Sequence, residues 1–214
     1  MKYIEQKMKK NRKNMMIVLS APSGTGKTTI CKKILRSLPN LKMSISHTTR
    51  KPREGEKDGV DYYFVDENTF KRMIENEEFV EWAKVYGNYY GTSKKVIDEL
   101  YQSGNDILFD IDIQGAKNIK KIYKKSILIF MLPPSIEELE RRLKNRNEDA
   151  DTIKNRLKKV ADEVKEYKFY DYLVLNDDIE EAFKEIMCII HAESLKTNKL
   201  GKDFIKNFLK NNRG

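Results

Sequence analysis

MMIVLSAPSGTGKTTICKKIL, residues 15–35, decides the fold. Met15–Ser20 is a short apolar run that stops at Ala21 and Pro22, and Thr28–Leu38 sets Ile30, Ile34, Leu35 and Leu38 on one helical face. An apolar run bounded by Pro and Gly reads as a buried strand, and the spacing after it as an amphipathic helix. Between them, Ala21-Pro22-Ser23-Gly24-Thr25-Gly26-Lys27-Thr28 fits G-x-x-x-x-G-K-[ST], with alanine in the first glycine position. Gly24 and Gly26 let backbone N–H groups converge on an anion where a side chain would obstruct the turn. The helix that starts near Lys27 points its positive end at the same place. In this pattern Lys27 spans the β- and γ-phosphates of a nucleotide and the Thr28 hydroxyl binds Mg²⁺, with Thr29 completing the segment.

Outward from that stretch, Ile107–Ile111 and Ile127–Leu132 repeat the pattern of a short apolar run followed by a helix. Tyr172–Leu175 likewise precedes a helix over Ile179–Ile190. Short apolar strands alternating with helices predict a parallel sheet wrapped by helices, an α/β fold whose core comprises residues 15–45, 101–135 and 168–197. Two stretches break the rhythm. Residues 46–100 mix strand signals at Tyr62–Val65 and Phe79–Val85 with turns at Gly55, Gly59, Gly87 and Gly91, which predicts an insertion with its own small sheet. Residues 136–167 read as two polar helices, Ile136–Arg146 and Thr152–Tyr167, joined by the acidic link NEDAD, a shape that suits a flap over a site. Residues 1–14 and 198–214 are basic tails, the second with Phe204, Ile205, Phe208 and Leu209 at amphipathic helical spacing.

Composition narrows the chemistry. The 214 residues suit one domain. His47 and His191 are the only histidines, so a zinc site or a Ser-His-Asp triad has almost no raw material. Cys31 and Cys188 fall in helical patterns and read as buried or half-buried free thiols. No apolar run is long enough to cross a bilayer, and the basic N-terminus lacks the apolar segment of a signal peptide, so a cytoplasmic location is expected. The formal charge of +9 favours anionic partners. Lys117, Lys120, Lys121, Lys124 and Lys125 read as a solvated helical face, however, and no RNA-binding signature is present. Neither nucleic acid nor membrane is expected as a partner.

A second anion site is encoded in Ser46-His-Thr-Thr-Arg50-Lys-Pro-Arg53-Glu-Gly55. Two arginines three residues apart, on a loop stiffened by Pro52, can fork onto one phosphate. Tyr62 and Tyr90 add phenol donors.

At these residues the chain resembles the guanylate kinase family. SHTTRKPREGEKDGVDYYFV, EFVEWAKVYGNYYGTS and ILFDIDIQGAKNIK follow APSGTGKTT in the family's order, a likeness from about Met15 to Glu193. The resemblance implies a P-loop NTPase-type fold and transfer of the γ-phosphoryl group of ATP to GMP or dGMP with Mg²⁺. By that resemblance residues 46–100 bind GMP and residues 136–167 form a lid. Arg50, Arg53, Tyr62 and Tyr90 would hold the GMP phosphate, and Ser46, Glu81, Thr92 and Asp112 the guanine. A carboxylate suits guanine because it accepts from both N1–H and N2–H₂. Without the resemblance, Glu81 in FVEWAKV reads as an exposed strand charge. Asp110 and Asp112 end an apolar strand as a Walker-B-type carboxylate does, one serving metal and the other base, in an order the sequence leaves open. Arg142, Arg146 and Arg156 become lid arginines acting with Lys27 and Arg50 on the transferring group, and Asn176 falls where adenine is contacted. Ala21, and Asn147 where glycine is frequent, are the departures. A different class of reading, an inert guanylate kinase-like module that binds phosphopeptides, meets the presence of Lys27, Thr28 and all three lid arginines.

Overall fold

The computed structural model describes residues 12–85, 87–144 and 150–211. Met16–Ser20 (β1) leads through the glycine loop into Lys27–Ser37 (α1), followed by Leu41–Met43 (β2). The next segment holds His47–Thr48 (β3), Tyr63–Phe64 (β4), Glu67–Glu75 (α2), Phe79–Val85 (β5) and Asn88–Ser93 (β6). Lys94–Gln102 (α3), Asp106–Asp110 (β7), Ile113–Ile122 (α4) and Ile127–Leu132 (β8) come next. Ile136–Lys144 (α5), Ala150–Lys165 (α6), Tyr172–Leu175 (β9), Ile179–Ser194 (α7) and Lys202–Asn211 (α8) complete the order.

The five strands β2, β7, β1, β8 and β9 lie side by side in that order, each pair parallel, with β1 at the centre. Helices cover both faces, and β1 shows why its run is apolar throughout. Ile17 and Leu19 pack with Ile30 and Ile34 of α1 and Ile186 and Ile190 of α7. Val18 points the other way, to Ile97 of α3, Phe109, Ile119 of α4 and Phe130. A strand buried on both faces has no polar side to show, so its alternation disappears. Burial of each such side chain contributes about 1.5–3 kcal/mol, and the site is held at the carboxyl ends of strands anchored this way.

A second, four-stranded sheet runs β4, β3, β6, β5, with β3 and β4 parallel and the other pairs antiparallel. Of its strands, β3 and β6 escaped the periodicity reading. NYYGTS has no apolar alternation because β6 is paired on both edges and its glycine serves packing: a Cβ at Gly91 would lie 2.9 Å from Phe70 and Phe79. The helix α2, also unexpected, is capped by Asp66, whose carboxylate accepts the Thr69 N–H. The helix α3 runs across the boundary expected at residues 100 and 101. Its Ile97 is buried in the cluster formed with β7, so this helix covers the core sheet.

The helices α5 and α6 share a small core of their own, Leu139, Leu143, Ile153 and Val160. Arg146 and most of the NEDAD link, residues 147–149, lie outside the described residues. The expected N-terminal tail is shorter than read. Arg12 pairs with Asp106, the Met15 N–H donates to the same carboxylate at 2.7 Å, and the Lys13 N–H donates to the Lys199 carbonyl at 2.8 Å. Asp106 opens β7 and is buried, and a buried carboxylate has to be hydrogen-bonded, which draws residues 12–15 into the fold. Cys31 is buried as expected, Cys188 is exposed, and both are free. No helix among the described residues is long and apolar enough to cross a membrane.

The Arg12–Asp106 pair yields the first test. Arg12→Ala is expected to lower the unfolding free energy by about 1–3 kcal/mol, the range for leaving a buried acceptor partly unpaired. Urea denaturation measures it, and an unchanged midpoint would show that the pair holds nothing together.

Candidate active site

The loop after β1 is shaped by two residues that an ordinary side chain would spoil. Gly24 and Gly26 take φ values of 95° and 98°. Both are also crowded: a Cβ at Gly24 would stand 2.9 Å from Leu139, and one at Gly26 would stand 2.7 Å from the Asn176 amide. Glycine here answers both a positive φ and a close approach. Ala21 packs against the core cluster, and the buried Pro22 accepts the Thr25 N–H at 3.2 Å and its hydroxyl at 2.8 Å. Gly26 is the N-cap of α1, and no side chain caps it. Thr28 and Thr29 are exposed on the first turn, which leaves that end of the helix open to an anion.

Lys27 is oriented from two sides. Its ammonium donates to the Ile111 carbonyl at 2.9 Å and pairs with Asp110 at 2.7 Å. Burial pulls its pKa down, but the Asp110 carboxylate outweighs burial and holds it above the ordinary lysine value. Asp110 comes to this position because it ends β7 in register with Leu19 of β1. Asp112, two residues on, instead caps α4 by accepting the Gly115 N–H at 2.8 Å. The two carboxylates that the sequence left interchangeable are separated in space: Asp110 belongs to Lys27, and Asp112 raises the pKa of Glu81.

The paired helices α5 and α6 rest on the loop. Arg142 donates to the carbonyls of Thr25 and Asn176, each at 3.3 Å, and is steadied by Glu138 at 2.7 Å. Arg156 donates to the Ser23 hydroxyl at 2.6 Å. Arg141 faces solvent and is paired with Glu138. Asn176 follows β9, and its buried amide donates to the Thr25 carbonyl, so its side chain holds the loop.

Across from the loop, Arg50 pairs with Glu56 at 2.8 Å and lies over the rings of Tyr62 and Phe64, 5.4 and 5.8 Å from their centroids. Burial lowers the Arg50 pKa, yet Glu56 brings it above the usual arginine value. The side chain of Arg53 is exposed, while its N–H donates to Glu56 at 2.8 Å. Tyr62 packs edge-on against Tyr90, with centroids 6.0 Å apart. Burial raises the Tyr62 phenol pKa, and the next largest influences are Asp110 (upward) and Lys27 (downward).

Glu81 is buried, and its carboxylate accepts the Thr92 hydroxyl at 2.5 Å across the β5–β6 pair. Ser46 is half-buried and accepts the Tyr63 N–H through its carbonyl at 2.9 Å. The β5–β6 register shifts between Phe79 and Glu81. Phe79 therefore stacks on Phe70 of α2, while Val80 and Glu81 both turn toward α4. A regular strand would have put Phe79 and Glu81 on one face. A Cβ at Gly115 would come 2.9 Å from the Glu81 carboxylate, so glycine makes room for it.

Sequence reading missed three supporting residues. Glu138 stands four residues before Arg142, a helical ion-pair spacing that signals it. Gly115 is an isolated glycine in a helical pattern, which flags a packing constraint. Glu56 carries no such signal, because its reach to Arg50 depends on how the loop closes.

An anion cradle facing a second cationic cluster is what phosphoryl transfer between two phosphorylated ligands requires, and it sets the molecule among the P-loop kinases. The family model for guanylate kinase matches residues 13–193. The guanylate kinase of Carboxydothermus hydrogenoformans is 48% identical over 189 residues, 88% of this chain and 93% of that protein. The guanylate kinase of Rickettsia prowazekii is 48% identical over 190 residues, 88% and 96%. The crystal structure of guanylate kinase from Anaplasma phagocytophilum matches with a TM-score of 0.75 at 39% identity, covering 88% of this chain and 90% of that one. The chain belongs to the guanylate kinase family.

Burial pushes the Glu81 pKa from 4.5 up to about 7, with Asp112 adding to the rise and Thr92 opposing it. Between those values the folded chain keeps a proton that the unfolded chain has released, so stability falls as pH rises through the window and levels off above it. The wild-type chain is expected to lose up to about 3 kcal/mol more than Glu81→Gln from pH 4.5 to 7.5. Thermal melts of both chains measure the difference. Parallel curves would mean that Glu81 ionises freely.

Proposed function

We infer that the chain catalyses ATP + GMP ⇌ ADP + GDP, with dGMP as a further acceptor. The observation that carries the acceptor is Glu81: a buried carboxylate, partnered by Thr92 and within electrostatic reach of Asp112, in a chain that also carries the P-loop residues Gly24, Gly26, Lys27 and Thr28. Adenine lacks the N1–H and N2–H₂ donors that such a group accepts. A site built on hydrogen bonds can reject the ligand that lacks them by roughly 10⁴–10⁵.

In this reading residues 46–100 bind GMP and residues 136–167 are the lid. The N–H groups of residues 21–29 and the Lys27 ammonium hold the β- and γ-phosphates of ATP. Arg50, Arg53, Tyr62 and Tyr90 hold the GMP phosphate, and Ser46 and Thr92 help Glu81 and Asp112 with guanine. The Thr28 hydroxyl and Asp110 suit Mg²⁺, which takes one or two protein oxygens and completes its shell with phosphates and water. When bound, Mg²⁺ supplies charge neutralisation and orientation of the phosphate oxygens. Arg142 and Arg156 already contact the loop, so a small side-chain shift brings them onto the transferring phosphoryl group, and Arg146 acts with them. No side-chain nucleophile is required, because the reaction depends on alignment and charge stabilisation. Asn176 reaches adenine through its backbone, and a cytoplasmic location accompanies ATP and GMP as substrates. The phosphopeptide-binding alternative is disfavoured by the presence of Lys27 and the lid arginines and by the name guanylate kinase that the relatives carry.

Lys27→Ala is expected to lower kcat by about 10²–10³ while the chain still folds. A coupled ADP assay reads it, and near-normal turnover would remove the P-loop from the mechanism. For the acceptor, Glu81→Gln should cost about 1.5–3 kcal/mol in kcat/KM for GMP and leave the KM for ATP unchanged. If the GMP-to-AMP ratio stays the same, another group reads the base.

A further inference from the structure

A cavity of about 780 Å³ opens at the amino-terminal ends of the main-sheet strands, away from the P-loop, against the first residues of β1, β8 and β9. Its volume is that of a small-ligand site. The acidic residues on its wall are already engaged: Asp171 with Lys120, and Glu193 with Lys196 and the Tyr172 hydroxyl. Lys13, Lys124, Lys125 and Lys199 also line it, and the ammonium groups of these four make no ion pair or hydrogen bond among the described residues.

Two groups on this wall lack hydrogen-bond partners, a lysine ammonium at the cavity surface and a buried hydroxyl. Lys199 is only 8% exposed, yet no carboxylate or carbonyl receives its ammonium, and burial holds its pKa below the ordinary value. Ser126 is 3% exposed with its hydroxyl unpaired. Buried polar groups are almost always satisfied, so each unsatisfied one calls for a partner. Here the one buried orphan, the Ser126 hydroxyl, shares a cavity with Lys199 and the other unpaired lysines, and the partner they share is an anion with several oxygens. The lysines that read in sequence as a solvated face therefore divide: Lys117 and Lys120 are paired, while Lys124 and Lys125 line this wall.

We propose that this cavity is a second anion site that takes a polyphosphate group, with Lys199 and Ser126 at its floor and Lys13, Lys124 and Lys125 around its mouth. Four cations against one oxyanion chain supply charge-assisted contacts from several directions. The group is either a free polyphosphate chain or the phosphates of a nucleotide, whose base would lie against the rings of Tyr101 and Tyr123 on the same wall.

The test is calorimetric titration with tripolyphosphate and, separately, GTP, with the kinase site filled by GMP and a non-hydrolysable ATP analogue. One further site per chain is expected. Lys124→Gln with Lys125→Gln, both exposed positions, should weaken it about tenfold, and Lys199→Met should do the same, with the KM values for ATP and GMP unchanged. GTP binding tighter than tripolyphosphate, with the advantage lost in Tyr123→Ala, assigns the site to a nucleotide. Equal affinities assign it to the free chain. No binding once the kinase site is filled, or residual binding indifferent to the lysine variants, overturns the proposal.

Discussion

The Lys27–Asp110 ion pair is the interaction on which the site depends, because it joins the loop after β1 to the end of the neighbouring strand. Both groups are about four-fifths buried, so the pair is screened far less than a surface pair. It aims a cation at the helix N-terminus and fixes which carboxylate lies next to the phosphates. The parallel register of β1 and β7 sets this distance, and that register rests in turn on apolar side chains packed against both faces of the sheet.

The loop is held from its far side as well. Asn176 and Arg142 both bond to the Thr25 carbonyl, and Leu139 and Leu143 fill the space beside Gly24. The same contacts that shape the cradle therefore seat the arginine-bearing helices on it. A pair of helices with its own four-residue core can move as a unit and keep its internal packing.

The small sheet works by a different economy. Its cleft face is polar, and each polar group is positioned by another: Arg50 by Glu56, and Glu81 by Thr92. The carboxylate of Glu81 is buried without a cation, which raises its pKa and leaves it short of donors. A ligand that brings two N–H groups relieves that cost, and one that brings a lone pair does not.

Much of this was legible in residue order. Local backbone demands made the P-loop readable, since glycine at positive φ beside Lys and Thr leaves few alternatives, and burial on both faces made β1, β7 and β8 readable as apolar runs. The Arg50–Arg53 loop showed itself by charge and proline. Three things were decided only by tertiary structure. Separating Asp110 from Asp112 took the strand end and the helix cap that follow each other there. Turning Glu81 inward took a register shift that breaks strand alternation, which no period-two reading can anticipate. Drawing Arg12 into the fold took a buried carboxylate 94 residues away. In each case the deciding partner is distant in sequence, and a pattern read along the chain carries only what neighbouring residues impose on one another.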